Sequence, residues 1–190
     1  MQNNPYFFGY GSLVNRTTHD YVDIRPATAQ GWRRLWRHTA LRPFAILTAV
    51  PAPGTEIEGL IAAVPGADWQ ALDDREFAYD RVAHGGAVLH DLSHPAEIAI
   101  YTIPEDKHPR AEDLHPILLS YLDVVVQGYL REFGEDGAER FFATTDGWDS
   151  PVLDDRAAPL YPRHRELAKG ERAFVDAMLA RLGSELRPVG

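Results

Sequence analysis

A short stretch near the start of the chain, Tyr6-Phe7-Phe8-Gly9-Tyr10-Gly11-Ser12-Leu13, limits most strongly what this sequence can form. Three consecutive aromatic residues favour a short buried strand. The two glycines then break that strand, because glycine adopts backbone angles that other residues avoid and lets a ligand approach the main chain. A strand that ends in such a turn presents backbone N–H groups that can bind a carboxylate or a phosphate. The stretch therefore predicts either a ligand cradle or an ordinary tight turn.

The segments that follow the glycine turn predict that the first half of the chain is rich in strands. The segment from Ala27 to Trp36 is expected to be a twisted strand with Arg33 and Arg34 on its solvent side. Two apolar runs of strand length follow, and a break containing proline and glycine is expected to end the first of them. The runs are Phe44–Val50 and Glu58–Val64, and the break contains Pro51, Pro53 and Gly54. Strands followed by helices are typical of an α+β or barrel-like fold rather than of alternating βαβ units.

The first predicted helix opens near Asp68 and carries a carboxylate on its apolar stripe. Trp69, Leu72, Glu76 and Tyr79 are spaced by three, four and three residues, so a helix would place them on one face. Glu76 thus occupies a position where an apolar residue is expected.

The inward position of Glu76 has two explanations. Its neighbours Asp73 and Asp74 are predicted to face outward. A carboxylate on the inward face must be paired, hydrogen-bonded or protonated, because burying it alone is costly. A salt bridge to Arg75, Arg81 or another basic residue would satisfy this requirement, and so would a functional role.

The second half predicts two larger amphipathic helices around an irregular segment. Strands are predicted within Tyr79–His90, with a turn at Gly85-Gly86, and over Glu97–Ile103. A helix is predicted to begin at Leu114 and to stop at Gly134, and a short helix is predicted over Glu135–Phe142. An irregular segment over Ala143–Arg163 and a C-terminal amphipathic helix near 165–183 complete the prediction. Together with the length of 190 residues, this order predicts a single domain spanning 1–190.

The composition excludes several classes of protein and several kinds of site. The chain has 19 basic and 28 acidic residues, and the net charge of −9 argues against a general nucleic-acid partner. It has no run of about 18 apolar residues, so no membrane partner is expected. Cysteine is absent, which excludes disulfides, thiolate metal sites and cysteine nucleophiles. A cytoplasmic location is compatible with this composition and is the expected one.

Metal and serine chemistry have weak support. His84, His90 and His94 are spaced by six and four residues and do not form the His-Glu-x-x-His pattern of helical zinc sites. Ser12 lacks the Gly-x-Ser-x-Gly elbow of a serine nucleophile. The glycine turn is not followed by the Lys-Ser/Thr pair of a nucleotide-binding P-loop. The sequence therefore favours a site without a metal or a covalent serine intermediate.

Two motifs resemble those of a known family. Phe8-Gly9-Tyr10-Gly11-Ser12-Leu13 is similar to the N-terminal signature of the gamma-glutamylcyclotransferase-like superfamily, near its AIG2-like and ChaC-like bacterial members. Leu72-Asp73-Asp74-Arg75-Glu76-Phe77-Ala78-Tyr79 is similar to the second motif, which carries the catalytic glutamate of that family. The order and separation of the motifs make the resemblance more specific than either motif alone.

The resemblance implies an α+β fold with a mixed, barrel-like β-sheet and flanking helices. It also implies release of 5-oxoproline from a small γ-glutamyl substrate, whose free α-amine attacks its own γ-carbonyl. Glu76 would be the general acid/base of that reaction. The substrate would be held by the backbone around five consecutive residues, Gly9, Tyr10, Gly11, Ser12 and Leu13. The resemblance requires no metal or other cofactor and leaves the oligomeric state open.

One departure from the family leaves the substrate undefined. ChaC-type enzymes carry Arg-Gly-Thr-Pro and Pro-Gly-Arg stretches after the first motif, whereas the corresponding regions here are Thr39–Pro43 and Pro51–Thr55. Glutathione, γ-glutamyl amino acids and γ-glutamylamines therefore stay open, with the segment Ala143–Arg163 expected to shape the leaving-group pocket. The alternative from another class is a non-catalytic ligand-binding or interaction module that keeps the fold.

Overall fold

The computed structural model describes residues 4–83 and 88–189, so His84 and the predicted turn at Gly85-Gly86 lie outside the described residues. Within them the chain forms ten strands and three α-helices. The strands are β1 (Tyr6–Gly9), β2 (Val22–Arg37), β3 (Ile46–Ala63), β4 (Asp80–Ala83), β5 (Val88–His90), β6 (Ile98–Thr102), β7 (Ile117–Leu118), β8 (Thr145–Asp146), β9 (Val152–Asp154) and β10 (Leu186–Pro188). The helices are α1 (Gln70–Arg75), α2 (Leu119–Ala143) and α3 (Lys169–Leu182).

Seven of the described strands form one mixed sheet. Its order is β4-β6-β1-β3-β2-β5, and β8 also pairs with β2. Strand β1 is antiparallel to β3 and parallel to β6. Within the described residues, the edge strands β4 and β5 do not pair with each other, so the sheet is open. The predicted α+β class with a mixed sheet and flanking helices is confirmed, but the sheet is not closed into a true barrel.

Both faces of the sheet are covered, because successive side chains of a strand point to opposite faces. Phe8 of β1 belongs to a large apolar cluster that includes Leu122 of α2. Phe7 belongs to a smaller cluster that includes Leu72 of α1. The end of β1 therefore lies between α1 and α2, which brings residues from distant parts of the chain to the following loop.

One long strand replaces two predicted ones. Strand β3 continues through the segment Pro51–Gly54, which was predicted to end it. The pairing with β2 shifts there, from Trp32 opposite Pro51 to Gln30 opposite Glu56. A bulge accommodates proline because its residues do not need to donate every ladder hydrogen bond. The prediction of two separate strands was therefore wrong.

Strand β2 contains a second correction. Trp32, Arg34 and Trp36 alternate along the strand and share its inner face, and all three are buried. Arg34 is 0% exposed. The prediction that both arginines lie on the solvent side was wrong for Arg34, since the hydrophobic alternation of the tryptophans decides the face. Arg33, on the opposite face, forms a partly exposed ion pair with Asp146.

Helix α1 is shorter than predicted. It ends at Arg75, and Glu76 follows with φ −100° and ψ 30°. The Tyr79 N–H donates to the Glu76 carbonyl and closes a turn. The helix ends here because the chain has to enter β4, which pairs with β6. The single helical face from Trp69 to Tyr79 was therefore a wrong prediction, and Asp73 accepts a hydrogen bond from the Tyr101 hydroxyl instead of simply facing outward.

The second-half helices follow the predicted pattern more closely. Helix α2 begins at Leu119 rather than Leu114, since Ile117–Leu118 pair with β9. Gly134 interrupts α2 with φ 69°, at the residue predicted to end the first helix. Helix α3 lies within the predicted range 165–183. Among the described residues, none of the helices combines the length and apolar character needed to span a membrane.

Candidate active site

The loop after β1 is fixed by the side chain of Tyr10. Gly11 leads directly into a short 3-10 turn over Ser12–Val14. The Tyr10 hydroxyl donates to the Tyr101 carbonyl at 2.5 Å and accepts from the Ala49 N–H at 3.1 Å. Tyr10 is 6% exposed, so these bonds satisfy a buried polar group. The loop is thereby attached to β6 and β3 on either side of β1.

The buried Arg34 holds the backbone of the same loop. Its Nε donates to the Tyr10 carbonyl at 3.1 Å, and Nη2 donates to the Glu58 carbonyl at 2.5 Å. Nη1 donates to Thr144 Oγ1 at 2.7 Å, and the guanidinium lies 5.0 Å from the centre of the Tyr129 ring. No carboxylate of the described residues forms an ion pair with it. Carbonyl dipoles and aromatic faces therefore stabilise this cation.

Gly11 allows a close approach between the loop and α2. A Cβ atom at this position would lie 2.7 Å from the hydroxyl oxygen of Tyr121, which is closer than real Cβ contacts. The Tyr121 ring is itself packed edge-on against Trp36 and Tyr161. The glycine of the motif is therefore required for the packing of a tyrosine against the loop.

We expect Gly11→Ala to lower thermal stability, because the added methyl group displaces either the loop or Tyr121. Overpacking of this kind costs about 1–3 kcal/mol. Tyr121→Phe removes the clashing oxygen, so the double variant should recover part of the loss in a thermal melt. A double variant that is no more stable than Gly11→Ala would contradict this explanation.

Glu76 lies beside the loop in the turn that follows α1. Its side chain is 16% exposed. Arg75 Nε lies 3.2 Å from Glu76 Oε1, and Arg75 also donates to the Thr18 carbonyl at 3.2 Å. The hydroxyl of Tyr79, three residues further, donates to the Leu47 carbonyl at 2.7 Å and fixes the end of the turn. The turn therefore directs Glu76 toward β3 and the β1 loop.

Two adjoining cavities meet at Glu76. The smaller one, about 30 Å³, is lined by all five predicted binding residues, Gly9, Tyr10, Gly11, Ser12 and Leu13, together with Glu76, Tyr79, Tyr101 and Tyr121. The larger one, about 280 Å³, shares Ser12, Glu76, Tyr79 and Tyr121 with it. Its lining also includes Arg42, Phe77, Leu160, Tyr161 and Arg163. The structure thus brings every sequence-predicted site residue to one place.

The electrostatic environment favours a proton-transferring carboxyl group. Burial raises the pKa of Glu76 above its ordinary value, while the charges of Arg75 and Arg163 lower it. Burial also raises the pKa of the Tyr10, Tyr79 and Tyr121 phenols, so they stay neutral near pH 7. Neutral phenols can donate hydrogen bonds, whereas burial moves the pKa of Glu76 upward, toward neutral pH.

The structure gives less support to the other hypotheses drawn from the sequence, which concern a serine nucleophile, a metal site and a structural salt bridge. In the described part of the chain, no histidine or lysine lines either cavity, so Ser12 has no such base beside it. No cluster of three or more metal-ligating side chains occurs among residues 4–83 and 88–189. The predicted salt bridge to Arg75 is present, although Glu76 also faces the cavities.

Sequence reasoning missed part of the cavity wall. Tyr121 sits on the apolar stripe of α2, where spacing alone indicates core packing. Arg42 precedes a proline in a polar stretch without periodicity. Arg163 ends the irregular segment that was expected to shape a pocket, but no motif distinguished it from the other residues there.

The sheet, the glycine loop and the neighbouring, largely buried glutamate place this chain among α+β proteins that have a cavity at the end of the first strand. A sequence model described as "Gamma-glutamyl cyclotransferase, AIG2-like" matches residues 7–120. The chain therefore belongs to the AIG2-like gamma-glutamyl cyclotransferase family. A search of curated proteins by sequence found no match.

Solved structures share the fold at low sequence identity. YkqA from Bacillus subtilis has a TM-score of 0.55 and 18% identity, over 77% of this chain and 57% of YkqA. An uncharacterized protein from Homo sapiens has a TM-score of 0.56 and 14% identity, over 92% of this chain and 99% of its own. A gamma-glutamyl cyclotransferase has a TM-score of 0.55 and 14% identity over the same shares. The chain thus spans little more than half the length of YkqA.

Proposed function

We propose that this protein releases 5-oxoproline from a γ-glutamyl compound, with Glu76 as the general acid/base. The observation that carries the proposal is the largely buried Glu76 carboxyl group in the same cavity as the loop Gly9–Leu13. Membership of the cyclotransferase family supports it.

The reaction forms a bond between the substrate's α-nitrogen and its γ-carbon and breaks the bond from that carbon to the leaving nitrogen. Both reacting groups belong to one molecule, so the site chiefly has to fold the substrate for ring closure. The attacking amine must lose a proton and the leaving nitrogen must gain one. Glu76, as a carboxylate, takes the first proton and then donates it to the leaving group.

The loop after β1 has the complementary role in this proposal. Backbone N–H groups around Tyr10–Leu13 would hold the γ-glutamyl group and stabilise the negative charge that develops on its carbonyl oxygen. Rigid positioning of those groups matters, because preorganised donors stabilise a transition state without moving. The hydrogen bonds of Arg34 and Tyr10 supply that rigidity.

The proposal is tested by incubating the purified protein with glutathione, a γ-glutamyl amino acid and a γ-glutamylamine and measuring 5-oxoproline by mass spectrometry. Release from at least one substrate is expected. The ion pair between Arg75 and Glu76 favours the alternative, a ligand-binding module whose carboxylate is structural. Binding of all three compounds without release would support that alternative and contradict the proposal.

A pH profile tests the ionisation of Glu76. We expect the acidic limb of kcat/KM to lie above the ordinary glutamate pKa of about 4.3, because burial raises the pKa of this carboxyl. Arg163→Gln removes a positive charge that lowers the pKa of Glu76, so its limb should move to higher pH. Arg187→Gln, at an exposed ion pair on β10, is the matched control and should leave the limb in place. A limb that stays in place in Arg163→Gln would contradict this assignment.

A further inference from the structure

We propose that Arg42 and Arg163 bind a carboxylate on the leaving-group side of the substrate. The preferred substrates would then release an amino acid or a peptide rather than a simple amine. This inference rests on the proposed cyclotransferase function and adds the residues that select among its substrates.

The charges in the larger cavity are the first argument. Three arginines and one carboxylate line it: Arg42, Arg75, Arg163 and Glu76. Arg75 is within 3.2 Å of Glu76, so that pair is largely compensated. Neither remaining arginine forms an ion pair with a carboxylate of the described residues. Two such cations in one cavity of a chain with net charge −9 favour an anionic ligand.

Arg42 is held at the rim of the cavity without being neutralised. Its guanidinium lies 5.0 Å from the centre of the Phe77 ring, and Phe77 is 56% exposed. An aromatic face orients a guanidinium while leaving its N–H groups free to bind a carboxylate. Phe77 directly follows Glu76 in the chain. The Arg42 side chain is therefore tied to the turn that carries the proposed general acid/base.

Arg163 lies on a segment that α2 holds in place. The buried Asp155 accepts hydrogen bonds from the Ser120 N–H at 2.7 Å and from the Leu160 N–H at 2.8 Å. The Tyr161 N–H donates to Ser120 Oγ at 3.2 Å. The segment 160–163 thus forms a fixed wall of the cavity. It lies beyond the residues 7–120 that match the family, so this wall is suited to a selectivity particular to this chain.

A γ-glutamyl amino acid complements these charges better than a γ-glutamylamine does. The leaving group of the amino acid compound carries a carboxylate, whereas the leaving group of the amine compound carries none. The cavity offers two cations that are not paired with protein carboxylates. Apolar side chains of Phe44, Leu118 and Leu160 line the same cavity and suit an aliphatic leaving group. A simple alkylamine would fill the apolar part and leave both guanidinium groups without a carboxylate.

The test compares γ-glutamyl-L-alanine with γ-glutamylethylamide, because the two leaving groups differ only by one carboxylate. We expect the native protein to prefer the alanine compound by about 10- to 100-fold in kcat/KM, the range of a charge-assisted contact. Arg42→Gln and Arg163→Gln should each reduce this ratio, and the double variant should bring it near one. Arg187→Gln, whose exposed side chain pairs with Glu185, should keep the native ratio.

The outcomes separate the two proposals. Release of 5-oxoproline from both compounds at equal kcat/KM would overturn the inference and leave the proposed function standing. A preference for the alanine compound that persists in the double variant would overturn the assignment to Arg42 and Arg163. Failure of both compounds, and of glutathione, to yield 5-oxoproline would overturn the proposed function and this inference with it.

Discussion

Glu76→Gln is expected to lower the rate of 5-oxoproline release by about 10²- to 10⁴-fold, the usual contribution of a positioned general acid/base. Glutamine keeps the size of the side chain but cannot take the proton from the attacking amine. Because the proton transfers belong to the chemical step, the loss should appear in kcat rather than KM. Steady-state kinetics with the best substrate provides the measurement. Glu185→Gln, at an exposed glutamate paired with Arg187, is the matched control and should keep the native rate.

The same variant should not be destabilised at alkaline pH. Burial raises the folded-state pKa of Glu76, so the stability that protonation contributes is present at low pH and is lost as pH rises through that pKa. The free energy of unfolding of the variant should therefore gain on that of the native protein as pH rises. A variant that is well folded and retains near-native kcat would remove Glu76 from the mechanism.

Arg34→Met is expected to lower the free energy of unfolding by about 3–5 kcal/mol, since removing one partner of a buried polar network leaves the others unsatisfied. The carbonyls of Tyr10 and Glu58 would both lose a buried donor, and the Tyr129 hydroxyl, which lies 3.0 Å and 2.7 Å from them, can donate its single proton to only one. For a chain of this length, such a change should lower the melting temperature by about 10 °C. Thermal and urea unfolding measure it.

Arg33→Met provides the matched control on the same strand. Arg33 pairs with Asp146 near the surface, and exposed ion pairs contribute about 0–1 kcal/mol. If Arg34→Met does not fold, Arg34→Lys takes its place. It keeps the positive charge but cannot reach all four oxygens that the guanidinium contacts, so its melting temperature should lie below that of Arg33→Met. Equal melting temperatures for the Arg33 and Arg34 methionine variants would contradict the assigned role of Arg34.

The fold class could be predicted from the sequence because the hydrophobic pattern and the turn residues act locally. Three aromatics before a glycine turn formed β1, and Gly134 interrupted α2 as predicted. The wrong predictions of element boundaries arose where tertiary contacts override the local pattern. The segment Pro51–Gly54 stayed in β3 because a bulge opposite β2 tolerates it, and pairing of β4 with β6 shortened the helix before Glu76.

The candidate site was predictable where two local motifs meet and not elsewhere. The resemblance named Glu76 and the loop Gly9–Leu13, and the structure places them at one cavity, while their catalytic roles stay predictions. Arg34 was misplaced because a charged residue on an inner face is rare without a carboxylate partner. Arg163 reaches the cavity through the contacts of Asp155 with α2, which no local pattern encodes.

The parallel pairing of β1 with β6 also bears on how the protein acquires its site during synthesis. Tyr6 lies opposite Ile98, so the pair closes only after some ninety intervening residues have been made. Contacts between such distant residues slow folding, because the entropy of closing the loop is lost before the contact stabilises it. The segment with Arg163 emerges later still. A nascent chain therefore has no complete pocket until the segment that contains Arg163 has left the ribosome.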